Sequence, residues 1–142
     1  MSVPFGDRNG KLQVLNHAKK LNEYTFTKCK SDKVFSKSQR WVLPNRMMDT
    51  TLDIYSNIRV ANSISLKDGA GENDPGFRQR RRYQETALHR ICAFYGMLEI
   101  AANVYNVPFN NIEHWTELTS AVEDKLLRWM ESDLDRVRRK SK

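Results

Sequence analysis

The chain has 142 residues, 39% of them hydrophobic, and a net charge of +7. That length suits one domain, the apolar residues suffice for a core and argue against global disorder, and no run approaches the roughly 20 apolar residues that span a bilayer. The two cysteines, Cys29 and Cys92, form no metal-spaced cluster, so a disulfide scaffold or zinc ribbon is not expected and a reducing, cytoplasmic location is. Residues 1–10, MSVPFGDRNG, contain no apolar segment of the kind a secretory leader uses, and none is expected.

Four stretches carry helical periodicity and none carries a convincing strand pattern. The first spans about 11–30, with Leu12, Leu15, Ala18, Leu21, Thr25 and Lys28 near the 3.6 period and Tyr24 and Phe26 widening the stripe. Ser36 and Gln39 then fit a capping box. The second helix is expected over about 40–66, its stripe made of Trp41, Met47 or Met48, Leu52, Tyr55, Ile58, Ala61 or Asn62, and Ile64 or Ser65. Pro44 requires that this helix either begin near Leu43 or bend there.

A polar linker, 67–74, follows. Asp74 before Pro75 reads as an N-cap and a proline at the first helical position. The third helix is expected from there to about Asn106. It opens strongly polar and then becomes apolar nearly all round, with Ile91, Phe94, Leu98, Ala101 and Tyr105 on one stripe and Leu88, Tyr95, Ala102 and Val104 outside it. Such a helix is buried on more than one face, either as a central core helix or through self-association. Pro108 ends it. Asn110 and Glu113 suggest a second capping box. The fourth helix is expected over about 111–136, on Ile112, Trp115, Leu118 or Thr119, Val122, Leu126, Trp129 or Met130, and Asp133. Short loops between long amphipathic helices favour an all-α, up-down antiparallel four-helix bundle, assembled as a homo-oligomer. The domain reading is an N-terminal arm over 1–10, the bundle over 11–136, and a basic C-terminal tail over 137–142.

The positive charge is concentrated. The segment 136–142 carries +5 and the segment 78–82, RQRRR, carries +4, which leaves −2 for the rest of the chain. Blocks of this kind attract nucleic acid. Arg78, Arg81 and Arg82 fall within i, i+3, i+4 reach and share a face, from which Arg80 points away. Guanidinium forks hold phosphate oxygens in pairs and confer affinity without reading sequence. Arg40, Arg46 and Arg59 on the second helix, Arg90 on the third, and Arg136, Arg138, Arg139 and Lys140 at the end extend the candidate surface. Trp41 and Tyr83 stand close to basic positions, available either to stack on bases or to join the core.

Signatures for phosphate-loop, dinucleotide, zinc-protease and serine-hydrolase chemistry are missing. His17, His89 and His114 lie on three different expected helices, and no Glu stands three residues before a His, so a metal-binding bundle core of the di-iron kind is not expected. The spacing of Arg82 and His89, with six residues between, resembles the R-x4-6-H motif of HEPN-type ribonucleases. There the His serves as acid and base and the Arg stabilises phosphoryl charge. Here the residue after the arginine is Tyr83, where that family usually has a polar one.

The pattern as a whole resembles the four-helix-bundle family that includes proteins encoded in intervening sequences of bacterial 23S ribosomal RNA genes. It resembles more closely the accessory variability determinants, Avd, of diversity-generating retroelements. The stretches that carry the likeness are LNEYTFTK at 21–28, RMMDTTLDIYSNI at 46–58 with Ala61 and Asn62, RYQETAL at 82–88, and the W-x-x-S-D ending at 129–133. The resemblance implies a homopentamer of four-helix bundles with a basic surface and no catalytic activity or cofactor of its own. Its partners would be a reverse transcriptase and template RNA, together with cDNA or an RNA/DNA hybrid, in support of mutagenic cDNA synthesis. A HEPN-like endoribonuclease using Arg82 and His89, and a purely structural bundle protein, are the alternatives.

Overall fold

The computed structural model describes residues 11–139, the side chains of Lys11 and Leu12 excepted. The expected N-terminal arm and Lys140 therefore lie outside the described residues. Four helices, α1 Lys11–Cys29, α2 Leu43–Ser63, α3 Pro75–Asn103 and α4 Phe109–Arg138, make up the structure, with a short 3-10 turn at Lys37–Gln39. No strand occurs among the described residues. α1 packs on α2 and α4, and α3 packs on the same two helices, so the four stand at the corners of a square.

Cross-helix bonds fix the directions. Asn22 Nδ2 donates to Thr51 Oγ1 at 3.1 Å and the Thr50 hydroxyl contacts Met97 Sδ at 3.6 Å. Both contacts join the first half of α2 to the later part of a neighbouring helix. Trp115 Nε1 on the second turn of α4 donates to Thr25 Oγ1 near the end of α1 at 2.9 Å. Consecutive helices are antiparallel, as short connections require.

Each helix buries one stripe. On α1 it is Val14, Leu15, Ala18, Leu21, Thr25 and Cys29; Thr25 satisfies its own hydroxyl by donating to Leu21 O at 2.7 Å. Phe35 in the following loop turns fully inward and meets Tyr105 edge-on, ring centroids 5.7 Å apart, closing this end of the core. α2 begins at Leu43, which puts Pro44 in the first turn, where its missing N–H costs nothing. The Ser36–Gln39 box does form, Ser36 N–H donating to Gln39 Oε1 at 3.2 Å, but it caps the 3-10 turn and not α2. Trp41 and Val42 consequently precede the helix and face solvent, Trp41 80% exposed. Leu52 is exposed as well. The buried positions are Leu43, Pro44, Met47, Thr50, Thr51, Ile54, Ile58 and Ala61; Met47, Ile58 and Ala61 fall on the expected stripe, and Ile54 is buried in place of the expected Leu52.

Asp74 Oδ2 accepts from Phe77 N–H at 3.1 Å and caps α3, with Pro75 at its first position. The helix ends at Asn103, three residues short of the expected Asn106; Asn106 follows with a left-handed φ of 55°, and Val107 N–H reaches back to Ala101 O at 3.1 Å. Asparagine tolerates that conformation better than most side chains. The second expected capping box does not form. Pro108 is already the N-cap of α4 and its carbonyl accepts from Asn111 and Ile112, so Asn110 sits inside the first turn. α4 also runs to Arg138, two residues into the segment expected to be a tail. Gly69 and Gly71 of the α2–α3 loop, both at positive φ, donate to Arg136 O and Val137 O at 2.8 and 2.9 Å. These bonds satisfy carbonyls that a helix end otherwise leaves to water, and Val137 is buried beneath them.

The second face of α3 is divided. Leu88 and Tyr95 pack half-buried against the core, while Cys92, Ile100 and Val104 are exposed. No described helix is long and apolar enough to cross a membrane. Burial pushes the Cys29 thiol up to about 12, and because the thiolate is the nucleophile this sulfur is inert in the fold. A disulfide reagent such as DTNB is expected to modify Cys92 alone in the native chain and Cys29 only in denaturant. Rapid native reaction of both would show that the α1 end of the core is not closed.

Candidate nucleic-acid interface

Because α3 and α4 are antiparallel, the start of one lies beside the end of the other. The block 78–82 and the described arginines of the C-terminal block, Arg136, Arg138 and Arg139, far apart in the chain, therefore meet at one end of the bundle. Their arginines have four different environments there.

Arg80 is 1% exposed and not part of any surface. Its Nε and Nη2 donate to Asp133 Oδ2 and Oδ1, each at 2.7 Å, and its Nη1 donates to Ile64 O at 3.0 Å. Gln84 Nε2 adds a third bond to the same carboxylate at 2.9 Å, and the guanidinium lies 4.9 Å from the Trp129 ring. The expectation that Arg80 contributes to phosphate binding is corrected: a guanidinium bound at both forks and sealed from water has no donor to offer. Arg81 is half-buried. Its Nη2 donates to Met130 O at 2.7 Å and its plane covers Phe77 at 5.3 Å, so it does not share an open face with its neighbours as its spacing suggests.

Arg78 and Arg82, one helical turn apart, are exposed and have no side-chain partner among the described residues. With Pro75 and Gln79 they line a shallow depression of about 340 Å³. Across the helix pair, Arg136 Nε pairs with Asp68 at 2.8 Å and Arg138 Nε with Glu72 at 2.8 Å. Arg139 is exposed at the last described position. The hydrogen bond from Arg138 holds the Glu72 carboxyl below the ordinary glutamate range, and the charges of Arg138 and Arg81 add to this. A lowered folded-state value means that the pair exists above the ordinary range and is lost as pH falls through the lowered one.

The remaining candidates stand on other helix faces or at the other end. Arg59 is exposed on α2 towards the same end. Arg90 stands partway along α3, 3.9 Å from Asp53. Arg40 pairs with Asp32, and Arg46 is exposed on the first turn of α2; both belong to the opposite end. Trp41 is exposed there too, far from the converging blocks. Tyr83 packs half-buried against the core. Arg82 and His89 are both exposed on α3, seven residues or about 10 Å apart along the axis. Among the described residues no three His, Cys, Asp or Glu side chains gather as a metal site.

Two features escaped the sequence reading. One is the buried cluster, although Phe77, Arg80, Gln84, Ala87 and Ile91 continue a single stripe and Asp133 stands on the stripe of α4. The other is the use of Asp68 and Glu72 as counter-ions, which no local pattern signals. No family model, curated protein or solved structure matches the chain.

The cluster makes the arginines separable by experiment. Asp133→Ala leaves a buried guanidinium uncompensated and is expected to cost about 3–5 kcal/mol in chemical denaturation. The paired change Arg80→Met with Asp133→Leu is expected to cost much less than either single loss of charge. Arg78→Gln with Arg82→Gln is expected to stay within about 0.5 kcal/mol of the parent, as exposed sites do. A stability loss from that pair comparable to Asp133→Ala would place those two side chains in the fold and not on its surface.

Proposed function

We propose that the chain is a non-catalytic, nucleic-acid-binding accessory subunit of a diversity-generating retroelement, working as a homopentamer with a reverse transcriptase and its template RNA. The observation that carries the binding part is the convergence of the two basic blocks at one end of the bundle, where Arg78 and Arg82 remain open and Arg136, Arg138 and Arg139 stand across from them. Open guanidinium forks such as those of Arg78 and Arg82 grip phosphates and release their counterions, which gives affinity with little sequence preference. The reverse transcriptase, the template RNA and the number five follow from the Avd resemblance. The solvent-facing apolar side chains at the end of α3, Ile100 and the C-cap Val104, are available to an assembly contact.

Binding of a labelled single-stranded RNA, followed by anisotropy across salt, tests this reading. Affinity is expected to fall steeply with salt. Arg78→Gln with Arg82→Gln is expected to weaken every sequence alike and to lower the logarithmic salt slope by about 0.7 for each phosphate no longer gripped. Light scattering on the same sample is expected to give about five times 16.6 kDa. RNA that stays intact throughout agrees with the accessory role; cleavage abolished by His89→Ala would transfer the chain to the ribonuclease class. Absence of binding at low salt would leave a structural bundle protein.

A further inference from the structure

The solvent-accessible arginines of the basic end, Arg136 among them only half-exposed, fall into two classes. Arg78 and Arg82 meet no carboxylate among the described residues, whereas Arg136 and Arg138 each hold one supplied by the α2–α3 loop. The loop has main-chain ties besides those carboxylates, among them Leu66 O, which accepts from Arg136 Nη2 at 3.4 Å. Its backbone is pinned by the bonds from Gly69 and Gly71 N–H to Arg136 O and Val137 O. The Asp68 and Glu72 side chains themselves are 62% and 52% exposed. They can turn into water while the main chain stays in place.

Each of these pairs has the geometry of a guanidinium–phosphate contact: an anionic oxygen 2.8 Å from an arginine Nε. We propose that Arg136 and Arg138, two residues apart on α4 and so on different faces of it, are two phosphate-binding positions, together the subsite, that Asp68 and Glu72 occupy in the free protein, and that a nucleic-acid backbone displaces them. The loop then sets the affinity of the basic end by competing for its own arginines. This rests on the nucleic-acid reading above. Exposed ion pairs are weak and easily exchanged, while an incoming polyanion gains the release of its condensed counterions. The Arg138 position adjoins α3 through Arg81, which is bonded to Met130 O of α4 and whose charge reaches Glu72.

The test is a double-mutant cycle on the full chain, read by anisotropy of a fluorescein-labelled oligouridylate of about 20 nucleotides at about 50 and 200 mM salt. Asp68→Asn with Glu72→Gln keeps the side-chain shapes and the glycine bonds. In the parent background it is expected to tighten binding roughly three- to tenfold. In a background carrying Arg136→Gln and Arg138→Gln the same change is expected to give no gain. A remote pair on the first turns of α4, Glu113→Gln with Glu117→Gln, removes the same charge and is expected to change affinity less than about twofold. An equal gain in both backgrounds, no gain in either, or a remote pair that matches the loop pair would each overturn the subsite. A parent chain that does not bind at the lower salt would overturn the nucleic-acid reading itself, and the subsite with it.

Discussion

A charged guanidinium with almost no access to water must have its charge and its donors met inside the protein, and Arg80 imposes that constraint on three helices at once. Asp133 of α4 supplies the opposite charge through both carboxylate oxygens, Ile64 O after α2 takes the remaining fork, and Gln84 of α3 supports the carboxylate. Desolvating such a pair costs free energy that the attraction does no more than offset, so its contribution is to alignment more than to stability. A bidentate contact has narrow geometric tolerance. It sets how far α3 slides along α4, and the register of every side chain at that end follows from it.

That register decides what the surface offers. With Arg80 taken inward, Arg81 is drawn against Phe77 and Met130, and Arg78 and Arg82 are left outside. The same alignment brings the end of α4 under the α2–α3 loop. Gly69 and Gly71 can then donate to the last carbonyls, and the loop acids come within reach of Arg136 and Arg138. A basic composition is thus sorted into buried, paired and open guanidiniums by one internal ion pair.

The opposite end is organised by aromatic packing. Trp115 fills the centre with its indole N–H spent on Thr25, Tyr24 meets its ring edge-on at 5.3 Å, and Phe35 seals the bottom from the loop. The hydroxyl of Thr25 serves both its own helix and the Trp115 indole, so a polar side chain sits on an apolar stripe without an unmet bond. The exposed Trp41 and Phe109 stand outside this core.

The sequence by itself determined the four helices and most of their limits, because apolar spacing, Asp74 before Pro75, and Pro44 and Pro108 act locally and need no partner to be read. It also showed that positive charge lies in two short blocks. It misplaced Trp41 and Leu52 because a stripe of period 3.6 can be drawn through α2 in neighbouring registers, and the core selects one by contact. It read Asn110 as a cap because the capping pattern is shared by any Asn-x-x-Glu, whereas Pro108 had already begun the turn. Only the tertiary structure decided which arginines face solvent. That choice depends on Asp133 lying opposite Arg80 fifty-three positions away and on a loop folding back over a helix end. Both are long-range pairings, and local periodicity records the face of a side chain without recording what stands across from it.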